Sequence, residues 1–115
     1  MLRGEIRLVD LDPGQVGEAN KRRPAVLVSN DGANTTAARL GRGVVTVVPL
    51  TTNVARVHPF QVLIPAHGCG LERDSKAQAE QVRSVSVERV TDRIGRVPPA
   101  LMDDVDEALR LHLAV

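Results

Sequence analysis

The segment GVVTVVPL, residues Gly43–Leu50, carries the strongest strand signal in this chain. Its five consecutive β-branched residues favour an extended backbone, because such side chains pack well on a pleated surface. Proline has no N–H to donate to a neighbouring strand, so Pro49 is predicted to close the strand at an edge or a bend. The fold is therefore expected to be built around a β-sheet.

Weaker strand patterns lie on both sides of this segment. Apolar and charged residues alternate between Arg3 and Leu11, which is typical of a strand with one buried face. Residues 12–22 contain Pro, two Gly, Asn and several charges, and they are predicted to form a long loop. Further short strands are predicted at Pro24–Val28, Phe60–Ile64, Ala79–Val87 and Arg93–Val97.

The end of the chain is predicted to be helical. Pro99 suits a first helical turn, apolar residues recur after it at helical spacing, and Arg110 and His112 lie near the negative C-terminal end. Residues 31–40 could be a loop or a short helix capped by Asn30 or Asp31. Together these patterns predict an α+β fold, a small barrel of about five to seven short strands with one C-terminal helix.

Size and composition limit the possible functions. The 115 residues are predicted to form one domain, residues 1–115, whose small core a dimer interface would supplement. Phe60 is the only Phe, Tyr or Trp, which disfavours a passive single-strand binder that stacks bases on aromatic rings. The net charge is only +1, but residues 21–60 hold six basic residues and one acidic one. Such a cationic face is adequate for binding a few phosphates.

Several kinds of site are disfavoured by the sequence. Cys69 is the only cysteine, so neither an internal disulfide nor a cysteine-based metal site is expected. His58, His67 and His112 are scattered, and no metal-ligand or phosphate-loop motif is present, so no metal or cofactor is expected. The first ten residues lack the apolar run of a signal peptide, and no segment is long and apolar enough to cross a membrane. We therefore expect a cytoplasmic location.

Two polar segments could carry chemistry, although each also has a structural explanation. Pro24 drives Arg23 into an extended conformation, which would reduce the entropy lost when its guanidinium clamps a phosphate. Alternatively, Arg23 simply flanks a strand. Thr51–Asn53 follow the most apolar strand, where their polar groups either face a cleft or form a turn with hydroxyl–backbone bonds.

A third candidate is the segment Ala79–Ser84. As a strand it would place Gln81 and Arg83 on one face, and Glu80 and Gln81 could read base edges through hydrogen bonds. A solvated strand surface is the simpler explanation. None of the three segments is specific when taken alone.

Taken together, four stretches resemble the MazF/PemK toxins in order and spacing. They are MLRGEIRLVDLDP (Met1–Pro13), RPAVLVS (Arg23–Ser29), VPLTTN (Val48–Asn53) and EQVRS (Glu80–Ser84). The resemblance covers nearly the whole chain, up to the final helix. It implies an SH3-like barrel that forms a homodimer, with an RNA groove across or near the dimer surface, and a MazE-like antitoxin as partner. One departure is Arg7, which stands where relatives often carry Trp.

The resemblance also implies roles for individual residues. The catalytic arginine of the family precedes the proline that opens the second strand and corresponds to Arg23. Its catalytic threonine follows the central strand and corresponds to Thr51. The other residues expected to bind RNA are Asn20, Lys21, Arg22, Thr52, Asn53, Glu80 and Gln81.

The predicted function is a sequence-specific, metal-independent endoribonuclease that cuts single-stranded RNA by attack of its own 2′-hydroxyl. Arg23 would stabilise the charge on the phosphoryl group and Thr51 would donate a hydrogen bond to it. The sequence does not identify the general base. Two other classes stay open: a CcdB-like gyrase-binding toxin, and a non-catalytic RNA- or protein-binding module. By resemblance, the former acts through an aromatic residue near the C-terminus, whereas this chain ends in Leu113-Ala114-Val115.

Overall fold

The computed structural model describes residues 1–11 and 22–115. In these ranges the chain forms seven strands, two α-helices and two 3-10 turns. The strands are β1 (Glu5–Asp10), β2 (Arg22–Leu27), β3 (Val44–Thr51), β4 (Gln61–Ile64), β5 (Ser75–Gln78), β6 (Arg83–Ser86) and β7 (Val90–Arg96). The helices are α1 (Asp31–Leu40) and α2 (Pro99–Leu113), and the 3-10 turns are Ala79–Gln81 and Val87–Arg89. The predicted α+β class, the strand number and the C-terminal helix are confirmed.

The strands form one antiparallel sheet in the order β4-β5-β3-β2-β1-β7, with β6 also paired to β3. β3 is the central strand. One of its edges pairs with β2, where Ala25 lies opposite Pro49. Its other edge pairs with β6 over Val44–Val47 and then with β5 over Leu50 and Thr51. The 3-10 turn at Ala79–Gln81 connects β5 to β6 at this change of partner.

The prediction that Pro49 closes the central strand is wrong, because β3 continues to Thr51. The backbone N–H and carbonyl of Thr46 both face β2, where they bond to Ser29 and Val28. Backbone groups alternate in direction along a strand, so those of Pro49 face the opposite edge. That edge is the break between β5 and β6, where a missing N–H interrupts no ladder.

The second half of β2 and most of β3 are buried on both faces, which explains the nearly continuous apolar sequence of these parts. Val26, Val48 and Leu50 belong to a first core that includes Met102 and Val105 of α2. The alternate residues of β2 and β3 belong to a second core beside α1, to which other elements also contribute. This core consists of Val9, Leu11, Ala25, Leu27, Ala37, Val45, Val47, Val85, Val87 and Val90. The position of a residue in β2 or β3 therefore decides the side on which its side chain lies.

One predicted element needs correction, one strand escaped prediction, and one undecided segment is resolved. Ala79–Val87 is not a single strand, because a 3-10 turn precedes β6 and another follows it. β5 was not predicted at all, since its sequence SKAQ has no β-branched or aromatic residue. Residues 31–40 form a helix, capped by the Asn30 side chain, which accepts the N–H of Ala33 at 2.8 Å.

Neither helix in the described ranges is long and apolar enough to cross a membrane.

Candidate functional site

A cleft of about 330 Å³ lies beside β3, and we call it the Arg23 cleft. Two arginine and two glutamine side chains line it together with one leucine and one proline: Leu11, Arg23, Pro49, Gln78, Gln81 and Arg83. Guanidinium groups bind phosphate through several N–H donors, and a carboxamide both donates and accepts hydrogen bonds. The cleft therefore combines groups suited to a phosphate with groups suited to the edge of a base.

Arg23 and Thr51 lie on the same side of the sheet. Ala25 and Pro49 are opposite each other in the antiparallel β2–β3 pair, and both belong to the second-core side. Side chains alternate along a strand, so the next residues on this side are Arg23 in β2 and Thr51 in β3. Continuing the register would place these two residues opposite each other. The arrangement is consistent with one phosphate contacting both side chains.

The Thr51 hydroxyl already takes part in a turn. Its Oγ1 accepts the N–H of Asn53 at 3.3 Å, and Asn53 Oδ1 in turn accepts the N–H of Ala55 at 3.4 Å. Thr51–Asn53 therefore do form the turn with hydroxyl–backbone bonds that their sequence suggested as one explanation. A hydroxyl is also a donor, however, and the hydrogen of Thr51 stays available while its oxygen accepts. The turn orients Thr51 and leaves it able to donate to a phosphate.

Thr52 lies apart from these residues. It lines a separate cavity of about 400 Å³, together with Leu8, Pro24, Leu71 and Arg73 among others. Pro24 and Thr52 each follow a residue of the Arg23 side, so alternation directs them to the other face. The structure does not bring Thr52 together with Arg23 and Gln81.

Glu80 and Gln81 point in different directions, although both were expected to contact RNA. Gln81 is exposed and lines the Arg23 cleft. Glu80 is turned inward, where its Oε2 accepts a hydrogen bond from Gln61 Nε2 at 2.6 Å and its Oε1 is buried. Contact between Glu80 and RNA would require this carboxylate to leave Gln61. The predicted shared strand face for Gln81 and Arg83 is wrong, because Gln81 is in a 3-10 turn, but both residues line the cleft.

The remaining predicted residues come from the first loop. Arg22 is exposed at the start of β2, where its backbone lies opposite Asp10 of β1 in the strand register. Asn20 and Lys21 lie outside the described residues. Their assignment to RNA binding stays a prediction.

Sequence reasoning left Gln78 and Arg83 out of the RNA-binding set. Gln78 ends β5, a strand without a recognisable sequence pattern, so no local signal pointed to it. Arg83 lies in the EQVRS segment and could have been included on that ground. Gln61, which contacts Glu80, was also missed, because its role depends on a contact between residues far apart in the sequence.

Comparison with known proteins agrees with the resemblance. The profile of the family described as PemK-like, MazF-like toxin of type II toxin-antitoxin system matches residues 2–113. Endoribonuclease MazF9 of Mycobacterium tuberculosis is 62% identical over 113 residues, covering 98% of this chain and 96% of that protein. Endoribonuclease EndoA of Bacillus subtilis is 34% identical over 113 residues, covering 98% of this chain and 94% of that protein.

A solved structure is also similar over the whole chain. It is an endoribonuclease in complex with its cognate antitoxin from a mycobacterial species, with a TM-score of 0.78 and 27% identity. The match covers 100% of this chain and 96% of the other. The chain therefore belongs to the PemK-like, MazF-like toxins of type II toxin–antitoxin systems.

Proposed function

We propose that this chain is an endoribonuclease toxin that cuts single-stranded RNA at specific base sequences and needs no metal ion to do so. Its family and the endoribonuclease names of its relatives support the activity. The observation that carries the proposal is the Arg23 cleft, where two guanidinium groups and two carboxamides converge on the side of the sheet that also holds Thr51.

RNA contains its own nucleophile, which makes cleavage without a metal chemically possible. The 2′-hydroxyl attacks the adjacent phosphorus, and negative charge builds on the phosphoryl oxygens as the 5′-oxygen leaves. Arg23 stabilises this charge, while the Thr51 hydroxyl donates a hydrogen bond to the same phosphate and holds it in line. A guanidinium keeps its protons in proteins, so Arg23 acts as an electrostatic stabiliser and not as the general acid.

The cleft is also suited to base recognition. Carboxamides form paired hydrogen bonds with base edges, and Gln78 and Gln81 are both within the cleft. Base edges are accessible in single strands, whereas the major groove of an RNA duplex is too narrow for side chains. The preference for single-stranded RNA and for particular bases follows from these two properties.

The same proposal includes the partners and the location. The chain forms a homodimer in the cytoplasm and is held inactive by a MazE-like antitoxin. An acidic segment of the antitoxin would compete with RNA for Arg23 and Arg83, because both ligands present negative charge to the same guanidinium groups. The complex of a similar toxin with its cognate antitoxin supports such a partner.

Digestion of RNA in EDTA tests the activity directly. We expect the purified protein to cut single-stranded RNA into defined fragments that end in a 2′,3′-cyclic phosphate and begin with a 5′-hydroxyl. An oligonucleotide with one 2′-deoxy substitution at the cut site is the matched control and should stay intact. Cleavage of an all-deoxy strand at a comparable rate would refute the mechanism. Intact RNA under all conditions would favour a gyrase-binding toxin or a non-catalytic module.

A further inference from the structure

Gln61 forms a polar link behind the Arg23 cleft. Its Nε2 donates to Glu80 Oε2 at 2.6 Å, and its Oε1 accepts the backbone N–H of His58 at 3.1 Å. Only 8% of Gln61 is exposed, and both hydrogen bonds are partly shielded from water, so they direct the side chain. We call this set of contacts the Gln61 link.

The Gln61 link joins segments that flank the cleft. Glu80 precedes Gln81 in the 3-10 turn, and Gln81 lines the cleft. The backbone partner of Gln61 in the β4–β5 ladder is Gln78, which lines the cleft as well. His58 belongs to the segment that leads from Thr51–Asn53 to β4. One buried residue thus pairs through its backbone with Gln78, and its side chain bonds Glu80, the neighbour of Gln81, and the segment that follows Thr51.

The turn that carries Gln81 needs such a support. It is only three residues long, and a backbone hydrogen bond from Val82 N–H to the Ala79 carbonyl, at 3.1 Å, closes its end. Short 3-10 segments have poor hydrogen-bond geometry and little stability of their own. Glu80 is the residue of this turn whose side chain is bonded inward, so its contact with Gln61 restrains the orientation of the neighbouring Gln81.

Stability alone gives a poor reason for this pair. Glu80 Oε1 is buried and has no hydrogen-bond partner among the described residues. A buried acceptor without a partner is unfavourable, and apolar residues of similar shape would avoid that penalty. The link does, however, fix the geometry of a turn at the edge of the cleft, which apolar contacts would fix less specifically.

We propose that Gln61 is a positioning residue for RNA recognition, acting through Glu80 to hold the Gln81 carboxamide in a single orientation toward the cleft. This inference rests on the proposed function. It differs from a catalytic role, because Gln61 does not contact RNA and the phosphate is held by Arg23 and Thr51. Loss of the link therefore affects KM and base preference more than kcat.

A charge-swap series tests the proposal. Gln61→Glu places two carboxylates in contact, so we expect KM to rise about tenfold or more and the base preference to weaken. Glu80→Gln keeps an acceptor for Gln61 and should change KM and base preference less than Gln61→Glu does. In the double variant Gln61→Glu/Glu80→Gln, the new carboxylate accepts from His58 and from the new carboxamide. This variant should regain the parental KM and base preference, as judged by sequencing the 5′ ends of the fragments.

Two further measurements separate positioning from general stability. Ile6→Val weakens the first core from β1, which pairs with β2 and β7 and not with the strand that carries Gln61, so it should lower the free energy of unfolding and leave KM and base preference unchanged at low temperature. Amide exchange at Val82 reports closure of the turn without any RNA. It should accelerate in Gln61→Glu and slow again in the double variant.

The outcomes are distinct for the two proposals. If no variant and not even the parent cuts RNA, the proposed function fails, while the exchange of Val82 still decides whether Gln61 holds the turn. If Gln61→Glu keeps the parental KM, base preference and Val82 exchange, the positioning role is overturned. A double variant no better than Gln61→Glu would overturn it as well.

Discussion

Arg23 shows how a single neighbour prepares a functional side chain. Pro24 restricts the residue before it to an extended conformation, and Arg23 is indeed the second residue of β2. The strand register then places Arg23 on the side of the sheet that holds Pro49 and Gln81. The local conformation was predictable from the Arg-Pro pair, whereas the neighbours across the cleft depend on strand pairing.

Replacing Arg23 tests its electrostatic role. Arg23→Ala should lower kcat/KM by about 100- to 1,000-fold, the usual effect of removing one donor to a developing oxyanion. Arg23 is exposed, so the free energy of unfolding should change little. Arg39→Ala, at an exposed position in α1, is the matched control and should keep full activity. Parental cleavage by purified Arg23→Ala would contradict the assignment.

Thr51 can be tested with a conservative pair. Thr51→Ala removes the hydroxyl that accepts the Asn53 N–H, while Thr51→Ser keeps it. We expect about a tenfold or greater loss of kcat in the alanine variant and near-parental kcat in the serine variant, since the phosphate contact needs only the hydroxyl. Thr35→Ala in α1 is the exposed control. Equal losses in the alanine and serine variants would instead point to a packing role for the methyl group.

At the scale of elements, sequence patterns predicted the strands and helices that have a local signal and missed the strand that depends on pairing. β3 and α2 have strong patterns and are present. β5 consists of residues with low strand propensity, and it forms because it pairs with a strand on each side. Leu63 of β4 lies opposite Lys76, and Leu50 of β3 lies opposite Ala77. The 3-10 turn before β6 interrupts an alternating sequence for the same reason, since β3 changes partner there. The roles of Gln78 and Gln61 could therefore not be predicted from the sequence, because their positions depend on the pairing of β5.

A glycine in β7 illustrates how closely two elements approach. A Cβ at Gly95 would lie 1.8 Å from the carbonyl oxygen of Cys69, to which the Arg96 N–H also donates at 3.2 Å. Gly95→Ala should therefore lower the free energy of unfolding by about 3 kcal/mol or more, because backbone has to move. Gly41 is a suitable comparison, since it has a φ of 65° and no atom near its absent Cβ.

Urea denaturation of the two glycine variants separates a clash from backbone strain. Gly41→Ala introduces only the strain of a left-handed conformation at the end of α1 and should lower the free energy of unfolding by about 1 kcal/mol. If Gly95→Ala were no more destabilising than Gly41→Ala, the close approach of β7 to the Cys69 turn would not hold.

At the scale of the whole molecule, the charges around Glu5 predict that this residue makes an acid-sensitive contribution to the free energy of unfolding. Burial alone would raise the pKa of Glu5, but the hydrogen bond and charge of Arg7, the charge of the N-terminus and a backbone hydrogen bond from Leu2 together outweigh it and hold the pKa below its ordinary value of 4.5. Arg7 also donates to the Thr91 carbonyl of β7 at 3.0 Å. Arg7 thus forms an ion pair with Glu5 inside β1 and links β1 to β7 through the Thr91 carbonyl.

Because the pKa of Glu5 is lower in the folded protein, acid should weaken the fold. The unfolded chain binds the proton first, so Glu5 stabilises the fold fully above pH 4.5 and loses this contribution as the pH falls through its lower folded value. In urea titrations across this window, Glu5→Gln should lose less stability on acidification than the parent. Glu107→Gln, at a side chain that is 72% exposed, should behave like the parent. Parallel pH profiles for parent and Glu5→Gln would contradict the prediction.

The distribution of arginines predicts how RNA binding depends on salt. Arg23 and Arg83 line the cleft and the exposed Arg22 precedes Arg23 in β2, so a single strand would neutralise about two or three phosphates there. Raising salt from about 50 to about 200 mM should then weaken the Kd about tenfold or somewhat more, measured with RNA that carries a 2′-deoxy group at the cut site.

Removing one arginine should change the slope of this dependence and not only the affinity. Arg83→Ala should reduce the slope of log Kd against log salt by about 0.7, the contribution of one phosphate contact on a single strand. Arg110 is the matched control, because it lies on α2, which packs on the first core, while the cleft lies on the side of the second core. If Arg110→Ala and Arg83→Ala reduced the slope equally, RNA would be attracted by the charge of the whole surface, and the Arg23 cleft would lose its claim to be the binding site.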